Sequence, residues 1–145
     1  MRKPASATAS PNSGATAPGL QQLVDSGTVL LKTRKRDGSW VGSPVSLVGD
    51  GDGDLQRAYF RTWSTTGKVK RLRNFPDVRV APSRLTGTPT GPEVAGRARR
   101  VYGVEEQQAR RLLAARFPIL HRFLVPWYHR MRGLTTVHYE LTVGR

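Results

Sequence analysis

The chain has 145 residues, 37% of them hydrophobic, a mean hydropathy of −0.46 and no cysteine. That length suits one globular domain with a single core, and the missing cysteines exclude disulfides, thiolate catalysis and cysteine-based zinc sites. Twenty-four Lys and Arg against ten Asp and Glu give a formal charge of +14, which points to an anionic partner (nucleic acid, an acidic membrane or a phosphorylated or carboxylated ligand) without choosing among them.

Residues 1–19 are rich in Ala, Ser, Thr, Pro and Gly and almost free of large apolar side chains. Such a stretch cannot repay its ordering entropy, so it reads as a disordered tail, with the folded domain over residues 20–145. It lacks the apolar run of a secretory signal, and no segment reaches the length of a membrane span. A cytoplasmic protein is expected.

Residues 20–26 read as a short helix ending at Gly27. Residues 28–34 are β-rich and read as a strand, followed by the hairpin signal Arg36-Asp37-Gly38. Residues 40–48 return as a second strand, with Pro44 at an edge or bulge. After the turn at residues 49–53, residues 55–63 form a third strand. The period then changes: Val69, Leu72 and Phe75 recur at helical spacing among Lys68, Lys70, Arg71 and Arg73, until Pro76 stops the helix. Residues 78–81 and 91–102 read as strands. Residues 105–117 read as an amphipathic helix with Ala109, Leu112, Leu113 and Phe117 on one side. Pro118 and Pro126 bracket a further helical piece. Residues 135–143 close the chain as a strand whose Val137, Tyr139, Leu141 and Val143 alternate to one face. Six strands with hairpin turns and few helices predict a mainly β protein, a six-stranded antiparallel barrel with flanking helices.

The segment from Tyr59 to Pro76 carries the chemistry. A strand runs into a Ser/Thr/Gly turn and a basic helix, and no acidic residue intervenes. Helix N-termini present unpaired N–H groups and partial positive charge. Ser64, Thr65 and Thr66 add hydroxyls, and Arg61 and Lys68 flank the turn, so the pattern suits a phosphate. An amphipathic helix with a solvated basic face explains the same residues.

Other patterns fail. In Asp50-Gly-Asp-Gly-Asp54, the sixth and twelfth positions of a calcium loop fall on Leu55 and Arg61, so a hairpin turn is the better reading. His121, His129 and His138 lack metal-ligand spacing, and no metal site is expected. His138 lies out of phase with Val137 and Tyr139 and so belongs on the other face of its strand. Trp127 and Tyr128, between Arg122 and Arg130, read better as packing over the barrel than as a membrane contact. Arg97, Arg99, Arg100, Arg110, Arg111 and Arg116 extend the positive field. A nucleic-acid-binding module needs a recognition motif or stacking platform that is missing here, so that class is the rival and no nucleic acid is expected.

Several short motifs occur in a fixed order: Leu30 to Gly38, Ser43-Pro44-Val45, Arg61-Thr62, Gly67 to Asn74, Val80-Ala81-Pro82 and Gly91 to Val94. Over roughly residues 20–143 the chain resembles the pyridoxamine-5′-phosphate-oxidase-like split-barrel family, in particular its F420-dependent (deazaflavin) branch. The resemblance implies a homodimer of six-stranded split barrels with the cofactor in a groove at the subunit interface. Carried onto matching positions, Arg61, Thr62, Thr65, Thr66 and Lys68 would hold the cofactor phosphate. Thr33, Arg34, Ser43, Pro44 and Val45 would line the ring, and Arg71 would meet a phosphate or an acidic tail. The implied activity is hydride transfer between reduced F420 and an unsaturated or conjugated organic substrate, the proton coming from solvent or a nearby tyrosine. FMN is the alternative cofactor, since the two share a ribityl phosphate. F420 adds an oligoglutamate tail that Lys70, Arg71 and Arg73 suit. A cofactor-binding protein without turnover is the third reading. Ser83 departs from the family, where a cysteine is common.

Overall fold

A computed structural model describes residues 19–51, 55–64, 66–118 and 136–144. The elements in chain order are α1 (Leu20–Ser26), β1 (Thr28–Arg34), β2 (Trp40–Ser46), β3 (Val48–Gly49), β4 (Ala58–Trp63), α2 (Gly67–Asn74), β5 (Asp77–Pro82), β6 (Val94–Val101), α3 (Gly103–Arg116) and β7 (Thr136–Val143). The tail up to residue 18, the helical piece expected after Pro118, and Trp127, Tyr128, His121 and His129 lie outside the described residues.

All seven strands form one antiparallel sheet in the order β2-β1-β5-β6-β7-β4-β3. The six expected strands become seven because the second is broken. Ser46 pairs with Thr28 of β1, yet Val48 pairs with Tyr59 of β4. Those partners belong to opposite ends of the strand order, and Leu47 alone separates them. One residue cannot span a flat sheet of this width, so the sheet curls until its two edges meet. Leu47, fully buried, marks the corner, and its N–H donates to the Gly27 carbonyl at 2.8 Å. A mainly β split barrel results.

Alternation decides which side chains fill it. Val29, Leu31 and Thr33 of β1 point inward, as do Ala58, Phe60 and Thr62 of β4 and Val137, Tyr139 and Leu141 of β7, and most of them join one core cluster. α1 adds Leu20, Leu23 and Val24 at one end. α2 crosses the other end, linking the end of β4 to the start of β5, and buries Lys68, Val69 and Leu72. On the outside of the sheet, Val48, Tyr59 and Val101 pack against Ala109 and Leu113 of α3, with Leu112 and Phe117 beside them.

Two glycines are required by geometry. Gly38 has φ of 90° in the β1–β2 turn, where Asp37 accepts from the Ser39 N–H at 2.9 Å and its hydroxyl at 2.6 Å. Gly96, on β6, faces the Thr142 backbone so closely that a Cβ would stand 2.6 Å from its carbonyl oxygen and 3.2 Å from Val143 Cγ1. Because backbone cannot rotate away as a side chain can, Gly96→Ala is expected to cost about 1–3 kcal/mol. Urea denaturation checks this; an unchanged midpoint would mean that β6 and β7 separate freely.

Candidate functional site

The basic helix begins where the barrel opens. β4 ends at Trp63, and Thr66 is the N-cap residue of α2 in an extended conformation (φ −74°, ψ 151°). A threonine there ordinarily accepts from an N–H of the first turn. Thr66 makes no such bond. Its hydroxyl donates to the Trp63 carbonyl at 3.0 Å and lies 3.4 Å from the Thr62 hydroxyl. The Val69 N–H donates to the Thr66 carbonyl at 3.2 Å, so the N–H groups of Gly67 and Lys68 are the ones that keep their positive ends for another acceptor.

Lys68 follows directly. It lies one residue before Val69 and four before Leu72, on the buried stripe of the helix, and only 9% of it is exposed. Burial, with the neighbouring Arg71 charge second, pulls its ammonium below the usual lysine range. Among the described residues no carboxylate or other acceptor pairs with it. Arg71, half-buried, folds back along the helix: a Cβ on Gly67 would meet its Nη1 at 2.7 Å. Its Nε donates to the hydroxyl of Thr33, itself fully buried, at 2.6 Å. Thr62, Thr66, Lys68, Arg71 and Thr33 thus gather at one end of the barrel as two cations, three hydroxyls and a helix N-terminus without an acid. That donor set fits a phosphoryl group.

The other expected site residues divide by strand alternation. Thr33, Ser43 and Val45 lie on the inner face, Val45 within the core cluster; Arg34 and the exposed Pro44 lie on the outer face. Arg34 stacks over Phe75 at 5.4 Å. Arg61 shares the outer face with Tyr59, under α3, while its neighbour Thr62 points inward. Thr65 lies outside the described residues. Tyr139 is a core residue, stacked on Phe60 at 5.3 Å between centroids.

Beneath α3 lie partners that no local pattern announces. His138 is fully buried, and its Nδ1 lies 3.1 Å from Glu106 Oε2. Arg99 joins Glu105 at 2.8 Å and Glu140 at 3.0 Å, and Arg57 joins Asp50 at 2.9 Å. Burial, with Asp50 and Glu105 nearby, pushes the Tyr59 phenol up to about 12, so it stays protonated. A groove of about 520 Å³ lined by Asp50, Gln56, Arg57, Glu140 and Thr142 opens on this side. Its arginine and acids already pair with one another, which leaves it less suited to an anion than the cradle on α2.

Burial pushes the His138 imidazole below its ordinary 6.5, Glu106 pulls it back, and Arg110 and Arg61 deepen the depression. Between that lowered value and 6.5 the unfolded chain binds more protons than the folded one. Stability present above pH 6.5 is therefore lost as pH falls through that window. The melting temperature is expected to be lower at about pH 5.5 than at about pH 7.5, above the range where carboxylates titrate. A melting temperature that stays flat across this window would remove His138 as the titrating group.

No protein-family profile and no curated protein matches the chain in sequence. Solved structures do match in shape. A candidate pyridoxamine 5′-phosphate oxidase from Listeria innocua superposes with a TM-score of 0.54 at 13% identity, covering 87% of this chain and 91% of its own. HutZ, the heme storage protein of Vibrio cholerae, gives 0.56 at 12%, covering 87% and 88%. An FAD-binding protein from Mesorhizobium loti gives 0.54 at 16%, covering 86% and 87%. Coverage of most of each chain in all three pairs, together with the one-residue corner that closes the sheet, identifies the architecture: this chain has the pyridoxamine-5′-phosphate-oxidase-like split-barrel fold.

Proposed function

We propose that this protein is an F420-dependent oxidoreductase that holds the cofactor phosphate in the α2 cradle and reduces an unsaturated or conjugated organic substrate. One observation carries the reading: Lys68 is buried without an acceptor among the described residues, beside an Arg71 fixed by Thr33. A buried cation without a counterion costs stability, and an arriving phosphoryl group offsets that cost. Flavin-type cofactors present such a group on a ribityl chain.

The cofactor supplies the hydride chemistry when bound. This chain's residues bind and orient it. Lys68 and Arg71 neutralise the phosphate, the α2 N–H groups and the Thr62 and Thr66 hydroxyls fix its position, and the buried inner face of β1 and β4 keeps water from its stem. Lys70 and Arg73, exposed on the same helix, extend positive charge past the cradle; this supports F420, whose oligoglutamate tail needs it, over FMN. FMN is the alternative, because the cradle serves the phosphate of either. A cofactor carrier without turnover remains the third reading, and storage is the role named for the structurally similar Vibrio protein. The family resemblance adds a homodimer with the cofactor between subunits. No helix among the described residues is long and apolar enough to cross a membrane.

The test is a titration of purified protein with F420, FMN and a short DNA duplex at two salt concentrations, with the oligomeric state measured in parallel. Tight F420 binding with weak FMN binding is expected. Preference for FMN keeps the fold and changes the chemistry. Binding of DNA alone, with steep salt dependence, would overturn the enzyme.

A further inference from the structure

We propose that Arg61 and Arg110 form a second oxyanion site, on the outer face of the sheet under α3, separate from the α2 cradle and independent of the cofactor reading. Arg61 is the cross-strand partner of His138. Glu106 reaches down from α3 to His138 at 3.1 Å. Arg110 stands four residues, one helical turn, beyond Glu106, on the same side of α3. The turn that places Glu106 over His138 therefore carries Arg110 along the same face, towards the row that holds Arg61.

What makes this a site is the missing counterion. Three other arginines of the outer face are paired, Arg57 with Asp50, Arg99 with Glu105 and Glu140 and Arg79 with Glu93, and Arg34 stacks on Phe75. Arg61 and Arg110 have no ion-pair or hydrogen-bond partner among the described residues, and the nearby acid, Glu106, is taken by His138. His138 Nε2 is buried and also without a partner. Arg61 is half-buried, so its charge has lost water without gaining an anion, and Arg110 adds like-charge repulsion that lowers it further. Arg110 is exposed. Two guanidiniums from different elements, one desolvated and one exposed, suit a phosphate or carboxylate group.

Binding of inorganic phosphate and of glutarate, by calorimetry and by thermal shift at low salt, separates the two sources. The Lys68→Gln/Arg71→Gln protein is the background, because it removes both cations of the cradle on the other face. Phosphate, glutarate or both should raise its melting temperature. Adding Arg61→Gln or Arg110→Gln should weaken that binding roughly 10- to 100-fold. Either substitution should also raise the anion-free melting temperature, because it relieves an unpaired charge; an arginine with a purely structural role would lower it. Response to phosphate alone assigns a phosphoryl group and response to glutarate alone a carboxylate, and either supports the site. No response to either anion, or a response that both arginine variants retain, overturns it. Loss of F420 and FMN binding from the otherwise unsubstituted protein would leave these results untouched, so the two readings fail separately.

Discussion

Phe60→Ala should cost about 3–5 kcal/mol of stability, enough to unfold much of the protein at moderate temperature, given total stabilities of roughly 5–15 kcal/mol. Phe60 is fully buried on β4, near the point where the split edges meet, and its ring lies almost parallel to Tyr139 (11°, 5.3 Å). Truncation removes most of a phenyl ring's transfer free energy, leaves a cavity between strands that are tied by a backbone ladder, and deletes the ring pair. The ladder limits collapse: Phe60 and Tyr139 occupy paired positions, so neither strand can move inward alone. Phe60→Leu should cost less than about 1.5 kcal/mol, because it keeps most of the volume and loses the stacking. Urea denaturation of both variants checks this. Equal losses in the two would mean that the ring pair rather than the volume holds the site; a loss below about 1 kcal/mol in Phe60→Ala would show that the barrel interior is not packed there.

Phe60 also shows how far sequence reaches in this fold. The last strand was legible, since Val137, Tyr139 and Leu141 announce their inner face by period alone, whereas in β1 the apolar run Val29-Leu30-Leu31 marks a strand without choosing its face. The corner at Leu47 was not, because residues 40–48 contain no local break. Its cause lies in pairing partners, Thr28 and Tyr59, that are distant from each other in the chain. The site was legible in the same uneven way. The turn and basic helix stand out as a motif, and the spacing of Lys68 to Leu72 could have placed that lysine on the buried stripe. On strands, neighbours in sequence part in space: Arg61 faces α3 and Thr62 the cradle, and Thr33 and Arg34 divide likewise. The bonds from Arg71 to Thr33 and from Glu106 to His138 join residues 38 and 32 positions apart, and no local pattern encodes them.

The opposing demands of folding and binding meet at Lys68. Removing Lys68 and Arg71 together should weaken cofactor binding by roughly 3–6 kcal/mol, two charge-assisted contacts at about 1.5–3 kcal/mol each, or two to four powers of ten in Kd. The two side chains interact, so the sum is an upper bound. The single variants separate the causes. Arg71→Ala strips the fully buried Thr33 hydroxyl of its partner, so it should lower both affinity and stability. Lys68→Met keeps the volume of the stem and removes a buried charge without a counterion; affinity should fall while the melting temperature rises, as expected of a residue kept for binding at the expense of folding. Titration with F420 or FMN and thermal denaturation of the same samples give both quantities. A Lys68→Met protein that binds normally removes the lysine from the site. One that binds weakly and also melts lower would show that the ammonium already has a partner in the free protein, and the case for a waiting phosphate would then rest on Arg71 and the helix N-terminus alone.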